Sequence, residues 1–229
     1  MVIFYGQVIE GKVILDEGES LHLCKVLRIV EGEQVQVLDG KGHLYHCRVL
    51  RSHAKQSILE VERIEFEERG SSGISIAIAP TKGNDRFDWF LEKSVELGVE
   101  RIFALKTKRM EKIKFNRERS EKILIAGMKQ SGNRYLPEIS ELVGLDEVLK
   151  EEGIKGIGYC GEKEKESLKE FSKREGRVIF FIGPEGDFTE DEVEKVVEKG
   201  GKVVELGKNR LRTETAAIHV LSWYYGIRG

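Results

Sequence analysis

Proline and cysteine are scarce in this 229-residue chain, with three of each. Cys24, Cys47 and Cys160 are odd in number, widely spaced and without a C-x-x-C pair, which argues against a disulfide framework. No run approaches the roughly 20 apolar residues of a membrane helix, so no membrane-spanning segment is expected. The opening residues, MVIFYGQVIEG, lack a basic stretch followed by an apolar one and read as the start of a mature, cytoplasmic protein. Neither G-x-x-x-x-G-K-[ST] nor G-x-G-x-x-G occurs, which removes the P-loop and dinucleotide-binding readings. His22, Cys24, His43, His46 and Cys47 lie close in sequence. His46 and Cys47 are neighbours on a predicted strand, however, and point to opposite faces, so no metal is expected. Asn and Gln are also scarce beside abundant Lys, Arg and Glu, a balance that matches a heat-adapted source.

With 40% hydrophobic and 34% charged residues, the chain can bury a proper core under an unusually ionic surface. Residues 1–69 read as short β segments. EQVQVL (Glu33 to Leu38) alternates polar and apolar, Asp39-Gly40-Lys41-Gly42 is a hairpin signal, and Leu44 to Leu50 returns as its partner. SILEVERI (Ser57 to Ile64) alternates again, and one helix is expected from Glu19 to Val30. A small β-barrel follows from this pattern. EFEERGSSG (Glu65 to Gly73) has linker composition and divides the chain into domains 1–69 and 70–229. From Ile74 the rhythm becomes strand, loop, helix, which means α/β architecture with a parallel sheet covered on both faces. The last helix is apolar nearly all round, as expected of a helix buried against a partner subunit.

Charge is concentrated in one place. Residues 106–134 hold ten Lys/Arg against three Asp/Glu, while residues 1–69 hold nine against twelve and the whole chain nets −2. An excess of this kind attracts phosphates, and with so few acids in the segment to pair with it, nucleic acid is the favoured partner.

Two stretches carry the chemistry. VIFFIGPEGDFTEDEVEKVV (Val178 to Val197) and VVELGKNRLRTETAAIHVL (Val203 to Leu221) each run from buried strand through Gly-containing loop to helix. Loops at the carboxyl ends of parallel strands are where open α/β sheets place ligands, so these two are expected to form one site. Thr189 with Glu192 is a capping box and reads as structural. Arg212-Thr213-Glu214-Thr215 puts an Arg, an acid and two hydroxyls at a helix mouth, with one Thr expected as the N-cap. From the residues alone it reads equally as a functional site or a structural ion pair.

IGPEGDF (Ile182 to Phe188) and LGKNRLRTETA (Leu206 to Ala216) resemble the paired C-terminal motifs of the 16S ribosomal RNA uracil-N3 methyltransferases, SPOUT-class enzymes with a trefoil knot in the backbone. HLCKVLR (His22 to Arg28) and Leu38-Asp39-Gly40 resemble that family's PUA-like domain. FLEKSVELG (Phe90 to Gly98) resembles its first helix, and Gln130-Ser131-Gly132 to Pro137-Glu138-Ile139 its central loop. Departures occur at three places. Asp187 stands where the family usually has Gly, Asn209 followed by Arg210 where it has Arg then an apolar residue, and Asn133 followed by Arg134 where an Arg is common.

The resemblance implies a SPOUT-type α/β knot domain after a PUA-like β-barrel, with S-adenosylmethionine (SAM) as cofactor. The cofactor would be gripped by Tyr159, Cys160 and Gly161, by Ile182, Gly183, Pro184, Glu185 and Gly186, and by Leu206, Gly207, Asn209, Arg210, Leu211 and Ala216. Arg212 is implied as the group that stabilises the uracil anion, Glu185 as base or as anchor for that Arg, and Thr213 and Glu214 as residues that orient the loop. The implied partner is 16S rRNA in the small ribosomal subunit, contacted by Lys25, Arg28, Lys82, Lys108, Arg109, Lys112, Lys114, Gln130 and Arg134. The family's usual state is a homodimer. A ribose 2′-O-methyltransferase of the same class and a non-catalytic RNA-binding module are the rival readings.

Overall fold

The computed structural model describes residues 2–70, 73–110 and 115–228. Lys112 and Lys114 lie outside the described residues. Two compact units emerge: Met1–Arg69 together with Met128–Leu136, and Gly70–Gly127 together with Pro137–Gly229.

In the first unit, β1 (Ile3–Tyr5), β2 (Gln7–Ile9), β3 (Lys12–Ile14), β4 (Gln34–Leu38), β5 (His43–Arg51) and β6 (Ile58–Phe66) form one sheet in the order β1-β4-β5-β6-β3-β2. Only Gly6 separates β1 from β2, yet they are the first and last strands of the sheet, so the sheet must curl until its two edges meet at that corner. A Cβ on Gly6 would lie 2.8 Å from Val13 Cγ1, which is why the corner takes no side chain. The period-2 pattern holds: Val35, Val37, Tyr45, Cys47 and Val49 are buried with Phe4, Leu23 and Leu59, and His46 turns outward to Glu65. Burial pushes the Cys47 thiol up to about 12, so it is an inert part of the core.

The expected helix over Glu19–Val30 forms over Glu17–Val26, with its second half wound more widely. Helix α1 (Glu17–Leu21) is capped by Asp16, whose carboxylate accepts the Glu19 N–H at 2.8 Å. A wide turn over His22–Val26 follows, in which the Leu27 N–H donates to the His22 carbonyl at 3.0 Å, and Arg28 stops the chain at φ 56°. Leu23 is fully buried while Leu21, Val26 and Val30 stay exposed, so the apolar residues do not form one core-facing stripe.

Also in this unit, Arg134 donates to Glu65 at 2.8 Å, and His46 Nε2 lies 2.9 Å from the same carboxylate. His46 first, then Arg134, hold Glu65 below the ordinary carboxylate range. A depressed folded-state pKa stabilises the fold above the unfolded value of roughly 4.3 and loses that contribution as pH falls through the folded value. Glu65→Gln should therefore melt below wild type at pH 7 and converge on it as the pH drops under about 4. Parallel melting curves across that range would exclude the linkage.

The second unit carries a sheet in which every pair is parallel. Its elements in chain order are β7 (Ile74–Ile78), α2 (Asn84–Glu96), β8 (Arg101–Lys106), α3 (Arg117–Ser131, whose last residues lie in the first unit), β9 (Glu138–Gly144), α4 (Leu145–Val148), β10 (Ile154–Gly158), β11 (Glu166–Ser167), α5 (Leu168–Phe171), β12 (Val178–Ile182), α6 (Glu190–Glu198), β13 (Lys202–Glu205) and α7 (Thr213–Arg228). The strand order is β11-β13-β10-β12-β7-β8-β9. Alternate residues face opposite layers, and both are apolar, which explains the continuous hydrophobic runs. Ala77, Phe103, Ile157, Ile179, Phe181 and Val203 pack with α4 and α6 residues, including Val148, Val193 and Val196. On the other face Phe180 meets Phe171 of α5 edge-on at 5.6 Å, and α7 packs on β7 and β12. Thr189 caps α6 in the expected capping box with Glu192.

Candidate active site

β10 lies between β12 and β13 in the sheet although β12 and β13 follow it in the chain. The chain thus passes to one side of β10 and then to the other, a topological switch point of the kind where α/β sheets bind ligands. A cavity of about 530 Å³ opens there, at the carboxyl ends of the three strands. Of the residues implied as cofactor contacts, Tyr159, Cys160, Ile182, Gly183, Pro184, Glu185, Leu206, Gly207, Asn209, Arg210, Leu211 and Ala216 line it. Gly161 and Gly186 do not. A Cβ on Gly161 would collide with the Tyr159 ring at 2.4 Å, so this glycine makes room for that ring. Gly186 faces Arg109, whose Nη1 donates to its carbonyl at 3.1 Å and to that of Phe188 at 3.1 Å.

The two loops are fastened to each other. The Thr213 hydroxyl donates to the Gly183 carbonyl at 2.9 Å, and Arg210 Nη2 donates to the Glu185 carbonyl at 2.8 Å. Neither threonine caps α7, contrary to expectation: the helix begins at Thr213, and the Arg212 carbonyl accepts the Ala216 N–H at 2.8 Å. Thr213 spends its hydroxyl on the other loop instead.

Arg212 is exposed and lines the cavity, and its guanidinium makes no hydrogen bond or ion pair among the described residues. Glu185 and Glu214 are both tied to Arg86 in the first turn of α2, at 2.7 Å and 3.7 Å. Glu214 is 6% exposed, and its Oε2 has no hydrogen-bond donor within reach, so the Arg86 charge is what offsets that buried oxygen. Arg86 was not found by sequence reading. Its partners lie about a hundred residues away, and nothing in NDRFDW marks it out. Lys165, Asp187, Glu205 and Lys208 are further lining residues that were not among the implied cofactor contacts.

Several of the implied RNA-contacting residues and their neighbours in the basic segment are engaged within the chain. Lys108 Nζ pairs with Asp191 at 2.6 Å, and Arg109 is committed to the Gly186 turn. Arg119 pairs with Asp88, Lys129 with Glu19, Arg117 with Glu121 at 2.8 Å, and Arg134 with Glu65 at 2.8 Å. Four of the segment's ten cations, Lys108, Arg119, Lys129 and Arg134, are thus paired with acids from elsewhere in the chain, partners that a count within the segment did not include. Lys25, Arg28 and Gln130 are exposed, as is Lys82. Among the described residues, no cluster of three or more His, Cys, Asp or Glu could hold a metal, and no helix is long and apolar enough to cross a membrane.

Comparison with known proteins fixes the family. The pattern described as an RNA methyltransferase domain matches residues 68–225, and that of an RNA methyltransferase PUA domain matches residues 15–62. The ribosomal RNA small subunit methyltransferase E of Aquifex aeolicus is 32% identical over 233 residues, covering 97% of this chain and 98% of that protein. This chain belongs to the small-subunit rRNA methyltransferase E family. Another member, from Rickettsia conorii, is 31% identical, covering 93% of this chain and 88% of its own. The crystal structure of a methyltransferase E from Neisseria gonorrhoeae bound to S-adenosyl methionine superposes with a TM-score of 0.86 at 28% identity, covering 99% of this chain and 98% of that one.

Proposed function

We propose that this chain methylates N3 of a specific uridine in 16S rRNA, using SAM bound in the cavity between β10, β12 and β13. One observation carries the reading: Arg212, its guanidinium without a partner among the described residues, lines the same cavity as the fastened loops after β12 and β13. The residues present suit the cofactor. The volume is within the usual range for a ligand of that size. Ile182, Leu206, Leu211 and Ala216 give an apolar wall, Lys165 and Arg212 offer cations for a carboxylate, and Glu205 offers an acid for an ammonium. At Gly207, with φ 141°, an added Cβ would meet nothing within 4 Å, so the backbone there is open to a ligand.

Bound SAM supplies an electrophilic methyl group on a positively charged sulfur. The chain's own task is to make a poor nucleophile competent and to aim it. Uracil N3 carries a proton in the neutral base, and the anion left by its removal spreads charge onto the flanking carbonyl oxygens. The Arg212 guanidinium is the group that stabilises this anion. Glu185, its carboxylate aimed by Arg86 and its carbonyl held by Arg210, is placed to take the proton or to steer Arg212. Thr213 and Glu214 keep the loop in register. A paired uridine hides N3, so the target base must be splayed out of its helix while the PUA-like unit, residues 1–69, holds the surrounding RNA.

The trefoil knot and the homodimer belong to the same reading, as does a cytoplasmic site of action on the small subunit. The placement of β10 between β12 and β13 supports the knot, and the exposed Tyr225 and Ile227 on α7 support the homodimer. Mass spectrometry of 16S rRNA from a strain lacking the gene should show one N3-methyluridine missing, restored by the purified protein with SAM. Loss of a ribose methylation instead would select the 2′-O reading.

A further inference from the structure

Asp187 occupies a backbone conformation that side chains avoid. Its φ is 62°, one of three positive values among described non-glycine residues, at the end of the turn closed by its own N–H on the Pro184 carbonyl at 2.9 Å. Asp and Asn tolerate this region better than other residues, but glycine is the unstrained choice. Something must therefore favour a carboxylate at a position lining the cavity.

The side chain shows what it does. Asp187 Oδ1 accepts the Phe188 N–H at 2.8 Å, and Oδ2 accepts the Cys160 N–H at 2.9 Å. The second bond spans 27 residues and joins the loop after β10 to the turn after β12. Cys160, Pro184 and Glu185 all line the cavity, so this carboxylate sets the separation of its walls at that point. Thr213 and Arg210 fasten the turn to the loop after β13, whereas Asp187 is the side chain that fastens it to the loop after β10. Burial, then the neighbouring Asp187 charge, raise the Cys160 thiol above its ordinary value, in keeping with that close approach.

We infer that Asp187 is a positioning residue for the cofactor, fixing the loop after β10 against the turn after β12 so that both walls of the cavity are preset before binding. This rests on the cavity being the SAM site. The preset geometry lowers the ordering cost of binding, so its loss appears in affinity. A glycine keeps the turn and removes the tie. An asparagine tolerates the conformation but has one acceptor oxygen for two N–H donors.

The test is calorimetric titration of SAM into the full chain and its Asp187→Gly and Asp187→Asn variants, with thermal melts of each. Wild type should bind, Asp187→Gly should bind about tenfold more weakly, and Asp187→Asn should fall between them, with kcat at saturating SAM changed less than KM for SAM. Wild-type affinity in Asp187→Gly overturns the inference, as does a melting temperature that falls in both variants while Kd holds. No binding by wild type overturns the cofactor reading itself, and the inference with it.

Discussion

Arg212→Ala should slow methyl transfer about 10²–10³-fold, equivalent to about 3–4 kcal/mol of lost transition-state stabilisation, while SAM affinity changes only a few-fold. The asymmetry follows from where charge develops. The guanidinium makes no hydrogen bond or ion pair among the described residues, so removing it strands no buried acid and opens no hole in the core. The apolar wall of Ile182, Leu206, Leu211 and Ala216 is left in place by the substitution. The anion on the uracil ring, by contrast, exists only as the proton leaves, and a fixed cation beside it acts on that state alone. Lysine should recover part of the rate because it restores charge without the planar fork. Single-turnover rates on small-subunit RNA at saturating SAM, with calorimetry for the cofactor, measure both quantities. A near-normal rate with normal binding would remove Arg212 from the mechanism.

The largest effect on stability is expected at Phe180. It is fully buried in β12, between Ile76 of β7 and Gly156 of β10 in register, with its ring against Phe171. Gly156 shows how tightly this layer is packed: a single Cβ there would approach Phe171 Cζ to 2.6 Å and Phe180 Cε2 to 2.8 Å. A site so closely surrounded by sheet cannot collapse around a void, so Phe180→Ala should cost about 3–5 kcal/mol in urea denaturation. An effect below about 1 kcal/mol would mean that the layer repacks freely.

Local features of the sequence were readable because their causes are local. Apolar runs gave the strands β7, β10 and β12, Thr189 and Glu192 gave the start of α6, and the two glycine loops identified the cavity-forming turns. What could not be read depends on partners distant in the chain. Asp191, Asp88, Glu19 and Glu65 pair with four of the basic segment's ten cations from well outside it, so a local charge count overstates its unpaired charge. Arg86 acquires its place only when α2 is brought beside loops some hundred residues further on. The helix after Asp16 was readable, but which of the five apolar residues expected in it would be buried was not: only Leu23 lies deep inside.

The first unit's claim on Met128–Leu136 sets a limit on how the protein can be cut. Leu136 covers Gly40, Tyr135 bridges to Lys41, and Lys129 reaches Glu19. An RNA-binding fragment ended at residue 69 would lack that strap and expose the β4–β5 turn beneath it. A soluble excised module has to carry the nine-residue strap on a tether, and gene fusions that keep only the leading sixty-nine codons should yield aggregates.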